Sequence, residues 1–213
     1  MIDGILFDLD GTLWDSVAEI AAAWSGAMAR LGVERPPLTA EELRPWMGLR
    51  LEDIAARMLP DLPEKERLAV MERCCRAEEE HLRRRPGAVY PGVEETLAAL
   101  EGRYPLFVVS NCQDGYIQAF FEGTGLGKYF RDFECAGRTG LPKSGNIRLV
   151  AERNGLKCPV YVGDTQLDAR SAREAGVPFL HAGYGFGTVE DAPELSRFSE
   201  LPERLGELGK SPK

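Results

Sequence analysis

The chain has 213 residues, enough for one domain or a core with a small insertion. Apolar residues are 44% and charged residues 28%, a composition that can bury a core. Lys plus Arg number 26 against 34 Asp plus Glu, a net −8 that disfavours nucleic acid and anionic membrane but leaves a phosphate substrate open, since local cations set the field at a site.

No apolar run approaches the roughly 20 residues of a membrane helix. The chain begins at once with a core strand, so no signal peptide is expected. The five cysteines are odd in number and form no C-x-x-C pair, which predicts free thiols in a reducing cytosol and a cytoplasmic protein. A catalytic role for Cys112 is not expected, because neither His81 nor His181 sits in a partner motif.

In chain order, Ile5-Leu6-Phe7 is a short β-prone run that ends in Asp8 and Asp10, and then Gly11. Asp10-Gly11 is a turn signal. Side chains alternate along a strand, so both acids should leave on one side, at the strand's carboxyl end where open α/β sheets bind ligands. The pattern then turns helical. Ser16 to Glu19 and Thr39 to Glu42 read as capping boxes, with helices following from Val17 to Leu31 and from Thr39. A third helix is predicted from near Arg50 to before Pro60, and a long charged one from about Pro63 to Arg85. Glu78-Glu79-Glu80 reads as a solvated face. No strand signal appears between Trp14 and Arg85.

From Val89 the chain alternates. Helices are predicted at Val93–Glu101, Asp114–Glu122, Gly145–Asn154 and Thr165–Ala175. Strands are predicted at Leu106–Ser110, near Phe133–Ala136, at Val160–Gly163 and at Pro178–Ala182. This rhythm predicts an α/β fold, a doubly wound, mostly parallel sheet with helices on both faces. Ser110-Asn111 ends the second run, and Asp164 the next, with Asp168 one helical turn on. Lys143 lies in a Gly/Pro-rich loop between them. Gly183 to Gly187 reads as a loop on the rim of the site, lacking the spacing of a dinucleotide fingerprint. A short strand around Phe198, a last helix and a frayed tail at Lys210–Lys213 complete the reading. Four carboxylates, a hydroxyl, an amide and an ammonium are the inventory for Mg²⁺-assisted phosphoryl transfer to a carboxylate.

Asp8-Leu9-Asp10-Gly11-Thr12-Leu13, Ser110-Asn111, Lys143 and Gly163-Asp164-Thr165-Gln166-Leu167-Asp168 resemble the four motifs of the haloacid dehalogenase-like (HAD) hydrolase superfamily, in its order and spacing. Tyr90-Pro91-Gly92-Val93 and Ala172-Arg173-Glu174-Ala175-Gly176 resemble its phosphoglycolate-phosphatase-like branch. The resemblance covers nearly the whole chain. It implies a Rossmann-like core over 1–13 and 86–213 and an inserted helical cap over 14–85, with Leu13–Ser16 and Pro86-Gly87 as hinges. It also implies a Mg²⁺-dependent phosphatase acting through an aspartyl-phosphate on a small phosphorylated metabolite, as a monomer or weak dimer. Asp8 is then the nucleophile and Asp10 the general acid and base. Mg²⁺ lies between the Asp8 carboxylate, the Asp10 carbonyl and Asp164. Asp168 holds a metal-bound water or Lys143, and Lys143 offsets the charge of Asp8 and the phosphate. Ser110 and Asn111 donate to the phosphate.

Thr12 either orients Asp10 or caps the turn. Arg50 is the cap residue best suited to touch substrate, against a plain helix-start arginine. Trp14 and Trp46 either line the cleft or, the safer reading, fill the core. Two departures bear on specificity. Lys143 is followed by Ser-Gly-Asn where many of the branch have Lys-Pro-x-Pro. Position 10 is Asp where a dehalogenase would have Tyr. The alternatives are a phosphosugar mutase on the same core and a non-catalytic Mg²⁺-binding receiver-like protein.

Overall fold

The computed structural model describes residues 1–208. Its centre is strand β1, Gly4–Phe7, with Ile5, Leu6 and Phe7 fully buried. A strand covered on both faces reads as an unbroken apolar run, and this one does. The other strands are β2 Trp14–Asp15, β3 Ala88–Val89, β4 Leu106–Ser110, β5 Asp132–Cys135, β6 Pro159–Gly163, β7 Phe179–Ala182 and β8 Glu194–Leu195. Six form one sheet in the order β5-β4-β1-β6-β7-β8, every pair parallel. The chain winds outward from β1 through β4 to β5, then returns to the other side through β6, β7 and β8. The crevice at this reversal lies beyond the carboxyl ends of β4, β1 and β6.

Alternation along the strands divides the core. Ile5, Phe7, Val108, Val160 and Val162 face helices α5 (Val93–Glu101), α6 (Tyr116–Thr124) and α10 (Leu201–Leu208), through Leu97, Ile117 and Leu205. Leu6, Phe107, Val109 and Tyr161 face α8 (Lys143–Arg153) and α9 (Gln166–Ala175), through Ile147, Val150 and Ala172. A one-turn helix, α7 (Ala136–Thr139), follows β5.

The inserted cap is helical: α1 Val17–Arg30, α2 Ala40–Leu43, α3 Leu51–Met58 and α4 Glu64–Arg84. Trp24, Ala27 and Met28 of α1 join Met71, Cys74 and Leu82 of α4 in the larger core cluster. Contrary to the sequence reading, the chain enters and leaves the cap through strands. β2 and β3 pair antiparallel, Trp14 opposite Val89 and Asp15 opposite Ala88. Two-residue strands are too short for periodicity to register. Gly87 permits this closeness, since a Cβ there would lie 2.7 Å from the Asp15 carbonyl.

Other local readings are corrected. Ser16 makes no side-chain cap on α1, because its hydroxyl is spent elsewhere. At Thr39 half the box forms: its hydroxyl accepts from Glu42 N, while the Glu42 carboxylate holds Arg35. Helix α6 starts two residues later than predicted, after Gly115 at φ +99°. Phe198 belongs to a 3₁₀ turn, Phe198–Glu200, and the edge strand is Glu194–Leu195. The tail predicted at 210–213 lies outside the described residues.

Candidate active site

Asp8 sits where β1 leaves the ladder, its N–H still donating to the Val162 carbonyl at 2.8 Å. The chain then turns on the Leu9 carbonyl, which accepts from Leu13 N at 2.8 Å. The turn, with Gly11 at φ +79°, gives the two acids different hydrogen-bond partners.

Lys143 is not in a loop but opens helix α8, after Pro142 as N-cap. A cation at a helix N-terminus opposes the helix dipole and needs compensation. It receives it from two carboxylates: Nζ donates to Asp8 Oδ1 at 2.8 Å and Asp168 Oδ1 at 2.6 Å, all three side chains buried. Burial alone would lower the lysine's pKa, but Asp168 and Asp8 hold it well above its usual value. Asp168 is positioned by a capping box at the start of α9. Its Oδ2 accepts from Thr165 N at 3.0 Å and Thr165 Oγ1 at 2.6 Å.

Asp164, fully buried, ends the segment after β6. Its Oδ2 accepts from Phe186 N at 2.7 Å, while buried Oδ1 has no hydrogen-bond partner. Carboxylate oxygens of Asp8, Asp164 and Asp168 lie within 4.8 Å of one another. One ammonium among three carboxylates leaves two negative charges uncompensated. Burial, with repulsion between the acids, therefore pushes Asp8 up to about 7 and Asp164 up to about 8. An orphaned oxygen in an all-oxygen donor set with excess negative charge fits a hard divalent cation such as Mg²⁺. The glycine loop predicted on the rim is there: a Cβ on Gly185 would lie 2.3 Å from the Gly11 carbonyl and 2.4 Å from Asp164 Cβ.

Asp10 has partners of its own, though it still feels the charge of Lys143 and adds its own to Asp8. Its Oδ1 accepts from Ser16 Oγ at 2.6 Å, Tyr116 Oη at 2.7 Å and Trp14 Nε1 at 3.0 Å. Burial raises its pKa and these three bonds oppose the rise. With Oδ1 so fully occupied, a proton on Asp10 resides on Oδ2. Asp10, Ser110 and Asn111 line a cleft between core and cap. Asn111 Nδ2 donates across it to the Gly48 carbonyl of the cap at 2.9 Å, and buried Oδ1 has no partner.

The remaining candidates lie apart from this arrangement. The Thr12 hydroxyl is buried without a partner and does not orient Asp10; its carbonyl accepts from Tyr184 Oη at 2.9 Å. Arg50 is the N-cap of α3, its side chain 44% exposed and 3.6 Å from Glu52, and it does not line the cleft. Trp14 is core, yet its indole reaches Asp10; Trp46 packs partly buried against the core. Tyr116, Ser16, Trp24 and Glu78 were not legible as site residues. Glu78 is 5% exposed, not solvated, and lines the cleft. Its position four residues after Cys74 and four before Leu82, both fully buried, was the available signal.

A doubly wound parallel sheet with an inserted helical cap, carrying buried acids at the carboxyl end of its central strand, defines a hydrolase of the HAD type. The chain belongs to the haloacid dehalogenase-like hydrolase family, whose profile matches residues 5–182. It is similar to the phosphoglycolate phosphatase of Escherichia coli (strain K12), 27% identical over 97% of this chain and 91% of that protein. It is 31% identical to the probable phosphatase IndB of Dickeya dadantii, over 87% of this chain and 83% of the relative. Among solved structures, a haloacid dehalogenase-like family hydrolase from Streptococcus pneumoniae superposes with TM-score 0.79 at 23% identity, covering 97% of this chain and 98% of that one. CbbY from Rhodobacter sphaeroides, in complex with xylulose-(1,5)bisphosphate, gives 0.79 at 21%, covering 94% and 96%. At these identities the structural likeness speaks for the fold.

Proposed function

We propose that the protein is a Mg²⁺-dependent phosphatase of the phosphoglycolate-phosphatase-like branch, hydrolysing a small phosphomonoester through an aspartyl-phosphate. The observation that carries the reading is Lys143 gripping one oxygen of Asp8 while Asp164 presents a buried, partnerless oxygen beside it. Lys143 fixes Asp8 Oδ1, so Oδ2, with no protein donor among the described residues, attacks phosphorus. Asp10 gives its Oδ2 proton to the leaving oxygen and then takes one from the hydrolytic water. Ser110 and Asn111 bind the phosphoryl oxygens from the end of β4. Asp8, Asp164 and the Asp10 carbonyl would hold Mg²⁺, with Asp168 in support; when bound, the ion neutralises charge developing on the phosphoryl group. The proposed division is a core of 1–13 and 86–213 and a cap of 14–85.

The test is phosphate release from 4-nitrophenyl phosphate by purified protein, with and without Mg²⁺, together with acid quenching to trap a hydroxylamine-labile phosphoenzyme. Mg²⁺-dependent release with such an adduct is expected. Release that is indifferent to EDTA and leaves no adduct sinks the reading.

A further inference from the structure

The cleft above Asp10 has a distinctive cap wall. Ile20, Trp24, Leu49, Leu51 and Ile54 make it apolar, and its two charged members are carboxylates, Glu78 and Glu79. Among the described residues no lysine, arginine or histidine lines it. Nearby cap arginines already have carboxylate partners. Arg50 pairs with Glu52, and Arg83 with Glu79 and Glu122. Arg44 is held by Asp15 at 2.9 Å and lies over the Phe186 ring.

Glu78 is the unusual group. Its Oε2 accepts from the Trp24 indole at 2.6 Å, and Oε1 has no protein donor among the described residues. Burial pushes it up to about 8. Across the cleft, buried Asn111 Oδ1 is a second acceptor without a donor. Two acceptors in an apolar cleft call for a ligand that donates. A second anion on the leaving group would meet Glu78, hydrocarbon and a Glu79 already paired with Arg83, with no unpaired cation among the lining residues. A hydroxyl on a small apolar body can donate to Glu78 Oε1 in either form, and an ammonium there, beside the Trp24 ring, would itself favour the charged carboxylate that burial disfavours.

We infer that this cleft selects phosphomonoesters whose leaving alcohol carries no second anionic group and offers a hydrogen-bond donor to Glu78. The inference rests on the phosphatase reading and sets it apart, in substrate, from its phosphoglycolate-hydrolysing relatives. The opposite occupant is a carboxylate accepting a proton from neutral Glu78.

Three esters of matched length separate these outcomes: 3-aminopropyl, 3-hydroxypropyl and 2-carboxyethyl phosphate, with 4-nitrophenyl phosphate reporting phosphatase activity as such. Wild-type kcat/KM for the better of the first two should exceed that for the carboxyethyl ester by about tenfold or more, the scale of a like-charge penalty in a desolvated site. Glu78→Gln keeps an acceptor for Trp24 and should shrink that ratio. If none of the four esters is turned over, the phosphatase reading fails, and calorimetric affinities of the same three esters for the wild-type protein still give the ratio. A carboxyethyl ester that matches or beats the other two, in turnover or in affinity, overturns the inference.

Discussion

The phenol of Tyr116 donates to Asp10 Oδ1 at 2.7 Å across 106 residues of chain. It ties the first helix after β4 to the turn after β1, and Ser16 of the cap hinge, 2.9 Å from the same phenol, completes the cluster. The bond favours the charged carboxylate and so lowers the pKa of Asp10. Tyr116→Phe removes it and should raise that pKa. Asp10 must be protonated to expel the leaving alcohol, so activity in that step is lost as pH rises through its pKa. The alkaline limb of phosphoenzyme formation should therefore move to higher pH in Tyr116→Phe, with kcat down by roughly the tenfold that a charged hydrogen bond represents. Rapid-quench burst rates across pH read this directly; an unmoved limb would mean that Tyr116 only packs.

The separation of the two acids predicts different losses. Asp8→Asn should abolish turnover and the phosphoenzyme together. Asp10→Asn should still form the adduct on an activated aryl phosphate, while turnover slows by about the 10²–10⁴-fold of a general acid–base group. Acid-quench labelling of both variants decides it, and full activity of Asp8→Asn would remove the covalent mechanism.

Arg50 and Asn111 show where the sequence was legible. Motifs at strand ends are fixed by the backbone: the runs ending at Asp8, Ser110 and Asp164 could be ordered from their patterns, and Asn111 followed from its place after β4. Cap residues have no such frame. Arg50 stood beside a helix start, but its side chain goes to Glu52, and the cleft is met by Gly48, Leu49 and Leu51 instead. Glu78 was hidden because a charge run is ordinarily solvated and its burial depends on α4 packing against α1, a tertiary fact. Ser16 carried a valid local signal, but Asp10 outcompeted the helix for its hydroxyl. The contrast is testable. Arg50→Ala should leave kcat/KM within about twofold, as exposed surface changes usually do. Asn111→Ala removes the link to the Gly48 carbonyl and should cost about tenfold or more, within the range for a lost charged or buried hydrogen bond. Steady-state kinetics on one small phosphomonoester measures both; a larger loss at Arg50 than at Asn111 would reverse the assignment.

The acid cluster predicts how stability depends on pH and metal. Asp8 at about 7 and Asp164 at about 8 stand above the ordinary 3.8 that they regain on unfolding. The folded protein therefore holds protons that the unfolded chain has released. That contribution is fully present below pH 3.8 and is lost as pH rises through 7 and 8. In EDTA the melting temperature should fall between pH 6 and 8.5 by several degrees, at about 2–4 °C per kcal/mol for a chain of this size. Other titrating groups contribute to that slope, so the comparison with Asp164→Asn isolates the cluster. An asparagine carbonyl can still accept from Phe186 N, while its amide faces the neighbouring carboxylates instead of a third charge. Asp164→Asn should thus melt above wild type in EDTA at pH 8 and lose the steepest part of the fall. Mg²⁺ binds the folded arrangement, so millimolar Mg²⁺ should raise the wild type at pH 8 and do little for the variant. A melting series over pH, in EDTA and in Mg²⁺, reads both halves. An equal gain from Mg²⁺ in the two proteins would remove Asp164 from the metal site.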